Sequence, residues 1–134
     1  MLDLMKASAG SGKTYSLARQ YISLLLKSED RYAYRHILAV TFTNKATDEM
    51  KGRILKELHV MATAPQDSDY RDYFIPSVFK SEDAMQEKAK RVLQDILHDY
   101  SAFAVSTIDR FFQQTLKAFS REIGHFASYQ VELD

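Results

Sequence analysis

Ala7-Ser8-Ala9-Gly10-Ser11-Gly12-Lys13-Thr14 is the stretch on which the reading of this sequence turns. Just before it, Leu2-Asp3-Leu4-Met5-Lys6-Ala7 alternates apolar and polar residues, which predicts a strand. After it, from residue 13 to about 27, Leu17, Tyr21, Leu24 and Leu25 recur at helical spacing. A tight turn that delivers a strand into a helix N-terminus converges several backbone N–H groups on one point, which is what phosphate oxygens require. Gly10 and Gly12 permit the close backbone approach that a Cβ would block. Ala9, Gly10, Ser11 and Gly12 are therefore candidate phosphate-binding residues. Lys13 adds a point charge for the β- and γ-phosphates, and the Thr14 hydroxyl can ligate Mg²⁺. The ligand read from this stretch is ATP with Mg²⁺, and Lys13 and Thr14 are the candidate catalytic pair.

Further along the chain, His36-Ile37-Leu38-Ala39-Val40-Thr41-Phe42 is a continuous apolar run, the pattern of a parallel strand buried on both faces. Asn44 then reads as an N-cap, with Asp48 and Glu49 near the positive end of a helix that sets Ala46, Met50, Ile54 and Leu58 four apart. Residues 63–81 hold both prolines and several aspartates and read as a long loop, opening a looped and helical excursion over 63–102. Within it Ser81 is placed to cap a helix with Met85, Ala89, Val92, Ile96 and Tyr100 as its stripe. A short strand at 103–107 follows, then a helix carrying Phe111, Phe112, Leu116, Phe119 and Ile123 and stopping at Gly124, with Phe111, Phe112 and Phe119 expected in the core. The tail, 128–134, alternates weakly as a strand would. Strand-helix repetition of this kind predicts an α/β fold: a parallel sheet flanked by helices.

The tip of the second strand carries Thr41, Phe42, Thr43, Asn44 and Lys45, so hydroxyls, an aromatic face, an amide and a cation stand together. Tips of parallel strands are where open α/β sheets bind ligands. Hydroxyls, amides and Lys suit backbone phosphates, and a Phe face can stack a base. Burial of Phe42 and simple capping by Asn44 are the plainer readings of the same residues.

Residues 37–50, Ile-Leu-Ala-Val-Thr-Phe-Thr-Asn-Lys-Ala-Thr-Asp-Glu-Met, resemble motif Ia of UvrD/Rep-type superfamily 1 helicases, and residues 7–14 resemble their motif I. Val105-Ser106-Thr107-Ile108-Asp109-Arg110-Phe111-Phe112 is similar to a downstream segment of the RecB/AddA helicase–nuclease branch. The resemblance implies a RecA-like P-loop NTPase fold, here incomplete: the N-terminal part of a helicase ATP-binding domain within a much longer protein. It implies that Thr41, Phe42, Thr43, Asn44, Lys45 and Thr107 grip single-stranded or end-bearing DNA, and that a helicase–nuclease partner subunit exists. Asp109 stands where the family usually has His, so an acidic group would face phosphate there. Asp109 reads instead as a cap for the last helix. A metal-binding strand at 104–109 is the alternative, but Arg110 follows where an Asp-Glu pair would be required. With no such pair ending an apolar strand, and no second motor domain, this segment alone is expected to bind nucleotide weakly and not to hydrolyse it.

Composition sets the outer limits. The 18 basic and 18 acidic residues cancel, which argues against a strongly basic nucleic-acid surface. The first 60 residues nevertheless carry ten Lys/Arg against six Asp/Glu, on the segment with the phosphate turn. Zero cysteines exclude disulfides and thiolate metal sites. No apolar run approaches the ~20 residues of a membrane span, and no secretory pattern opens the chain, so a cytoplasmic protein without membrane contact is expected. Tyr15 and Arg19 could stack a base but read as a solvated face, as do Lys88, Lys90 and Arg91. Two other functions stay open on the residues: a P-loop small-molecule phosphotransferase and a non-catalytic nucleotide-binding module.

Overall fold

Along the described residues each strand is followed by one or more helices. The computed structural model describes residues 3–7 and 11–127, and the side chains of residues 14–122. In order the elements are β1 (Asp3–Ala7), α1 (Ser11–Lys27), β2 (Ile37–Thr41), α2 (Asn44–Thr63), α3 (Arg71–Phe74), α4 (Glu82–His98), β3 (Val105–Thr107) and α5 (Ile108–Ala127). The described strands form one sheet, ordered β1-β2-β3, with both pairings parallel. Parallel neighbours need long crossovers, and helices supply them here. The fold class is thus α/β, a parallel sheet with helices. The 128–134 tail and the side chain of Ile123 lie outside the described residues.

β2 is the middle strand, and all five of its residues are buried. Ile37 and Ala39 join the core shared with the helices, while the alternate residues Leu38 and Val40 point the other way and are still buried. His36 and Phe42, expected inside this strand, fall outside it. Against the sheet pack α1 and α2, and α4 packs on α2 and α1; their fully buried residues include Ala18, Tyr21 and Ile22, then Met50, Ile54 and Leu58, then Met85, Ala89 and Ile96. Spacings of three and four put each set on one helical face, and burying a large apolar side chain contributes about 1.5–3 kcal/mol.

Local chemistry sets the helix starts. Thr43, extended at φ −133° and ψ 158°, accepts a hydrogen bond from the Ala46 amide at 3.0 Å and caps α2. The expected cap, Asn44, is instead the first helical residue, because the hydroxyl one position earlier already meets the free amides. Asp48 and Glu49 then fall beyond the first turn, which holds no acid. Ser81 caps α4 as expected, accepting from the Ala84 amide at 3.2 Å, with Glu82 and Asp83 in the first turn.

Three expectations need correcting. Residues 63–81 are not an open loop: Pro65–Asp67 forms a 3₁₀ turn, α3 follows, and Tyr70 and Phe74 are fully buried against α1 and α2. Tyr100 leaves the α4 stripe for a 3₁₀ turn, Tyr100–Ala102, and is 44% exposed. The largest difference is α5. It runs past Gly124 to Ala127, and Phe112 and Phe119, expected in the core, are 60% and 61% exposed, with Leu116 between them at 42%. Phe111 is half-buried. Among the described residues no helix is long and apolar enough to cross a membrane.

Candidate functional site

Strand register positions the site. Ala7 pairs with Thr41, and Thr41 pairs with Thr107, so the three strands end level at their carboxyl edge. That edge is where parallel sheets receive ligands. β1 ends at Ala7 and α1 opens at Ser11, so only residues 8–10 separate strand from helix. Ala9 and Gly10 therefore lie outside the described residues. Ser11, Gly12 and Lys13 form the backbone of the first turn of α1, with side chains outside the described residues, and Thr14 completes that turn half-buried. The turn contains no acidic residue, so no side-chain charge on it opposes an anion at the positive helix end.

The β2 tip is built on a hydroxyl pair that sequence reading missed. Thr41 is 1% exposed, and its Oγ1 lies 2.5 Å from the Oγ1 of Thr47. Either hydroxyl can donate across this pair, because the Thr43 carbonyl is within reach of both, 3.1 Å from Thr47 Oγ1 and 3.2 Å from Thr41 Oγ1. The Ser106 carbonyl on β3 stands 3.4 Å from the same Thr41 oxygen. Thr41, expected among the ligand-facing residues, thus points inward and satisfies its hydroxyl within the protein. A buried strand has no water to satisfy a polar group, so the fold supplies a partner. Thr47 carried no distinguishing mark in the sequence, since it sits at an ordinary helical position.

The rest of the tip faces outward. Phe42 is 62% exposed, which sets aside its burial as a core residue. Thr43, Asn44 and Lys45 are exposed around it. On the neighbouring tip, half-buried Thr107 accepts from the Arg110 amide at 3.2 Å and so performs the capping expected of Asp109. Asp109 stands exposed in the first turn of α5. Aromatic, hydroxyl, amide and ammonium groups are therefore together on the surface at one edge, adjacent to the β1–α1 junction.

Behind that junction, Tyr15 and Arg19 are not a solvated face. The Tyr15 ring meets the edge of Tyr70 at 4.8 Å between centroids, and the Arg19 guanidinium lies 4.5 Å from the centre of the Tyr73 ring. Glu57 on α2 is 3% exposed, and its Oε2 has no hydrogen-bond partner among the described residues. Burial, reinforced by the nearby charge of Asp69, raises its pKa above the usual carboxylate range. The basic group on α4 also divides. Lys90 and Arg91 are exposed, but Lys88 is half-buried and donates to the Ser28 carbonyl at 2.7 Å, just beyond the end of α1. Burial and the neighbouring Arg91 lower its pKa.

Comparison with known proteins gives the chain's relationships. The family described as UvrD/REP helicase N-terminal domain matches residues 3–133. A RecBCD enzyme subunit RecB from Borreliella burgdorferi is 31% identical over 127 residues, 95% of this chain and 9% of that protein. RecB from Buchnera aphidicola subsp. Schizaphis graminum is 33% identical over 125 residues, 87% of this chain and 10% of that protein. RecB from Escherichia coli is 40% identical over 67 residues, 46% of this chain and 6% of that protein. The chain thus spans about a tenth of the length of the Borreliella and Buchnera RecB proteins. No solved structure matches it.

Proposed function

This chain belongs to the UvrD/REP helicase N-terminal domain family, and on that basis we propose that it is the ATP-binding N-terminal segment of an ATP-dependent DNA helicase or helicase–nuclease that translocates on single-stranded DNA. The observation that supports this reading is the level row Ala7–Thr41–Thr107, which sets the end of β1 beside the exposed β2 tip. ATP and Mg²⁺ fit the donor set at the first junction. Amides at the start of α1, the Lys13 ammonium and the Thr14 hydroxyl suit a polyphosphate and a hard cation. The bound metal would supply charge neutralisation of the phosphates.

The chain's own residues divide the work. Ala9, Gly10, Ser11 and Gly12 bind phosphate through backbone amides, and Lys13 offsets its charge. Phe42 offers its exposed face to a base, while Thr43, Asn44, Lys45 and Thr107 meet the sugar–phosphate backbone. Thr41 acts from inside, holding the tip in shape through Thr47. Two ligand sites on adjacent strand ends provide a short physical route by which nucleotide state alters grip on DNA. The parent protein works in the cytoplasm, with a helicase–nuclease partner subunit.

Two titrations test the reading. A fluorescent ATP analogue with Mg²⁺ should bind the chain, and Lys13→Ala should abolish the signal; equal binding by both proteins rejects the phosphate site. Phe42→Ala should weaken binding of a fluorescent oligothymidine by about tenfold, in keeping with ~1–3 kcal/mol for base stacking, while nucleotide binding stays unchanged. An unaltered DNA affinity in that variant rejects the strand-gripping role. In a longer protein carrying this segment, DNA-stimulated ATP hydrolysis lost in Lys13→Ala separates a motor from a small-molecule phosphotransferase or a silent nucleotide-binding module.

A further inference from the structure

Segment 64–80 is fastened to the start of α1 by a reciprocal pair of tyrosines. The Tyr70 hydroxyl donates to the backbone carbonyl of Tyr15 at 2.9 Å, and the Tyr15 hydroxyl donates to the backbone carbonyl of Asp69 at 3.3 Å. Their rings lie edge to face between these two bonds. One helical turn further along, Arg19 stacks on Tyr73, and Arg53 of α2 stands 5.8 Å from the centre of the Tyr15 ring. Tyr70 is fully buried, so its hydroxyl has no water to fall back on, and losing the Tyr15 carbonyl leaves it unsatisfied. Tyr15 directly follows Thr14 in the chain.

We infer that Tyr70 is a positioning residue for nucleotide binding: by clamping the Tyr15 carbonyl it fixes the first turn of α1, and with it the backbone of Lys13 and Thr14. This rests on the nucleotide-binding reading above. A helix packed only along its buried face keeps a free rotation and fraying mode at its first turn, where amides lack intrahelical partners. An anion site made of those amides needs them held to within a fraction of an ångström. The clamp removes that freedom. The 64–80 segment thereby acquires a task that its packing alone would not predict, since disturbing it loosens the phosphate site at a distance.

The test uses the full chain and a fluorescent ATP analogue with Mg²⁺. Tyr70→Phe keeps the ring and removes only the hydroxyl. Tyr34→Phe is the matched control, because Tyr34 is buried and donates to Asp99 Oδ2 at 2.7 Å, well away in sequence from the clamp. Tyr70→Phe should weaken nucleotide binding fivefold or more and speed amide hydrogen exchange over the first two turns of α1, while Tyr34→Phe stays within twofold of the unaltered chain. Tyr15→Phe, which breaks the second bond alone, should fall between them. Equal losses in Tyr70→Phe and Tyr34→Phe would show general destabilisation and overturn the clamp. So would an unchanged affinity or unchanged exchange in Tyr70→Phe. If the unaltered chain and Lys13→Ala bind the analogue equally poorly, the nucleotide reading itself fails, and the clamp falls with it for that separate reason.

Discussion

Helices α4 and α5 look alike as sequences and end in opposite conditions. Each is amphipathic, with large apolar residues three and four apart. In α4 that stripe is closed over: Met85, Ala89 and Ile96 have no exposed surface. In α5 Phe112, Leu116 and Phe119 stand 42–61% exposed. The periodicity that marks a face as needing cover is the same in both, because it is a property of one helix. Whether cover exists depends on what else the chain supplies. Amphipathic spacing thus predicts a demand and says nothing of its supply.

Truncating one buried and one exposed ring should separate the packed core, which α4 joins, from the α5 stripe most clearly. Phe74→Ala, at a fully buried α3 position in that core, should cost about 3–5 kcal/mol in urea-induced unfolding. Phe119→Ala should stay within about 0.5 kcal/mol. Equal costs would mean that the α5 stripe is covered in solution. Smaller effects attend the caps that begin the packed helices. Thr43→Ala and Ser81→Ala should each cost about 1 kcal/mol in the same measurement. For α5 itself, the double change Phe112→Lys with Phe119→Lys should leave the thermal midpoint unaltered and reduce binding of a hydrophobic dye. A lower midpoint would show that the stripe contributes to folding after all.

The subtlest test concerns charge on the packed side. Burial raises the Glu57 pKa in the folded state. Protonated Glu57 is therefore the form the fold prefers, so its contribution is most favourable below the unfolded carboxylate range and is lost as pH rises through the folded pKa. Glu57→Gln should accordingly raise the thermal midpoint at neutral pH, with a gain that shrinks as the solution is acidified. A gain that grows on acidification would contradict the assigned burial.

Much of the fold was legible in the residues because its signals are local. The β2 run, the Ser81 cap and the Met50–Ile54–Leu58 spacing each follow from chemistry within one element, and each appears in the structure. Cap identity at α2 slipped by one residue because Thr43 and Asn44 are both good caps, and only backbone torsions choose between them. Tyr70 and Phe74 were hidden by the prolines and aspartates around them, since their burial is conferred by α1 and α2 and not by their neighbours in sequence. At the candidate site the strand-tip cluster was readable, whereas the inward turn of Thr41 was not. Its partner Thr47 lies six residues away, across a strand end and a cap, and Ser106 reaches it from another strand. The tyrosine clamp spans 55 residues and left no periodic trace at all.

Level strand ends have an electrostatic corollary. Adjacent strands in a sheet lie about 4.8 Å apart, and the screening length in physiological salt is about 8 Å. On the proposed reading, a triphosphate at the end of β1 and a nucleic-acid backbone at the end of β2 would keep about half of their unscreened repulsion across one strand spacing. Occupancy of one place should discourage the other in dilute buffer, and added electrolyte should relax that antagonism. On the proposed reading, the shared row Ala7–Thr41–Thr107 would let each polyanion sense the other's arrival and departure.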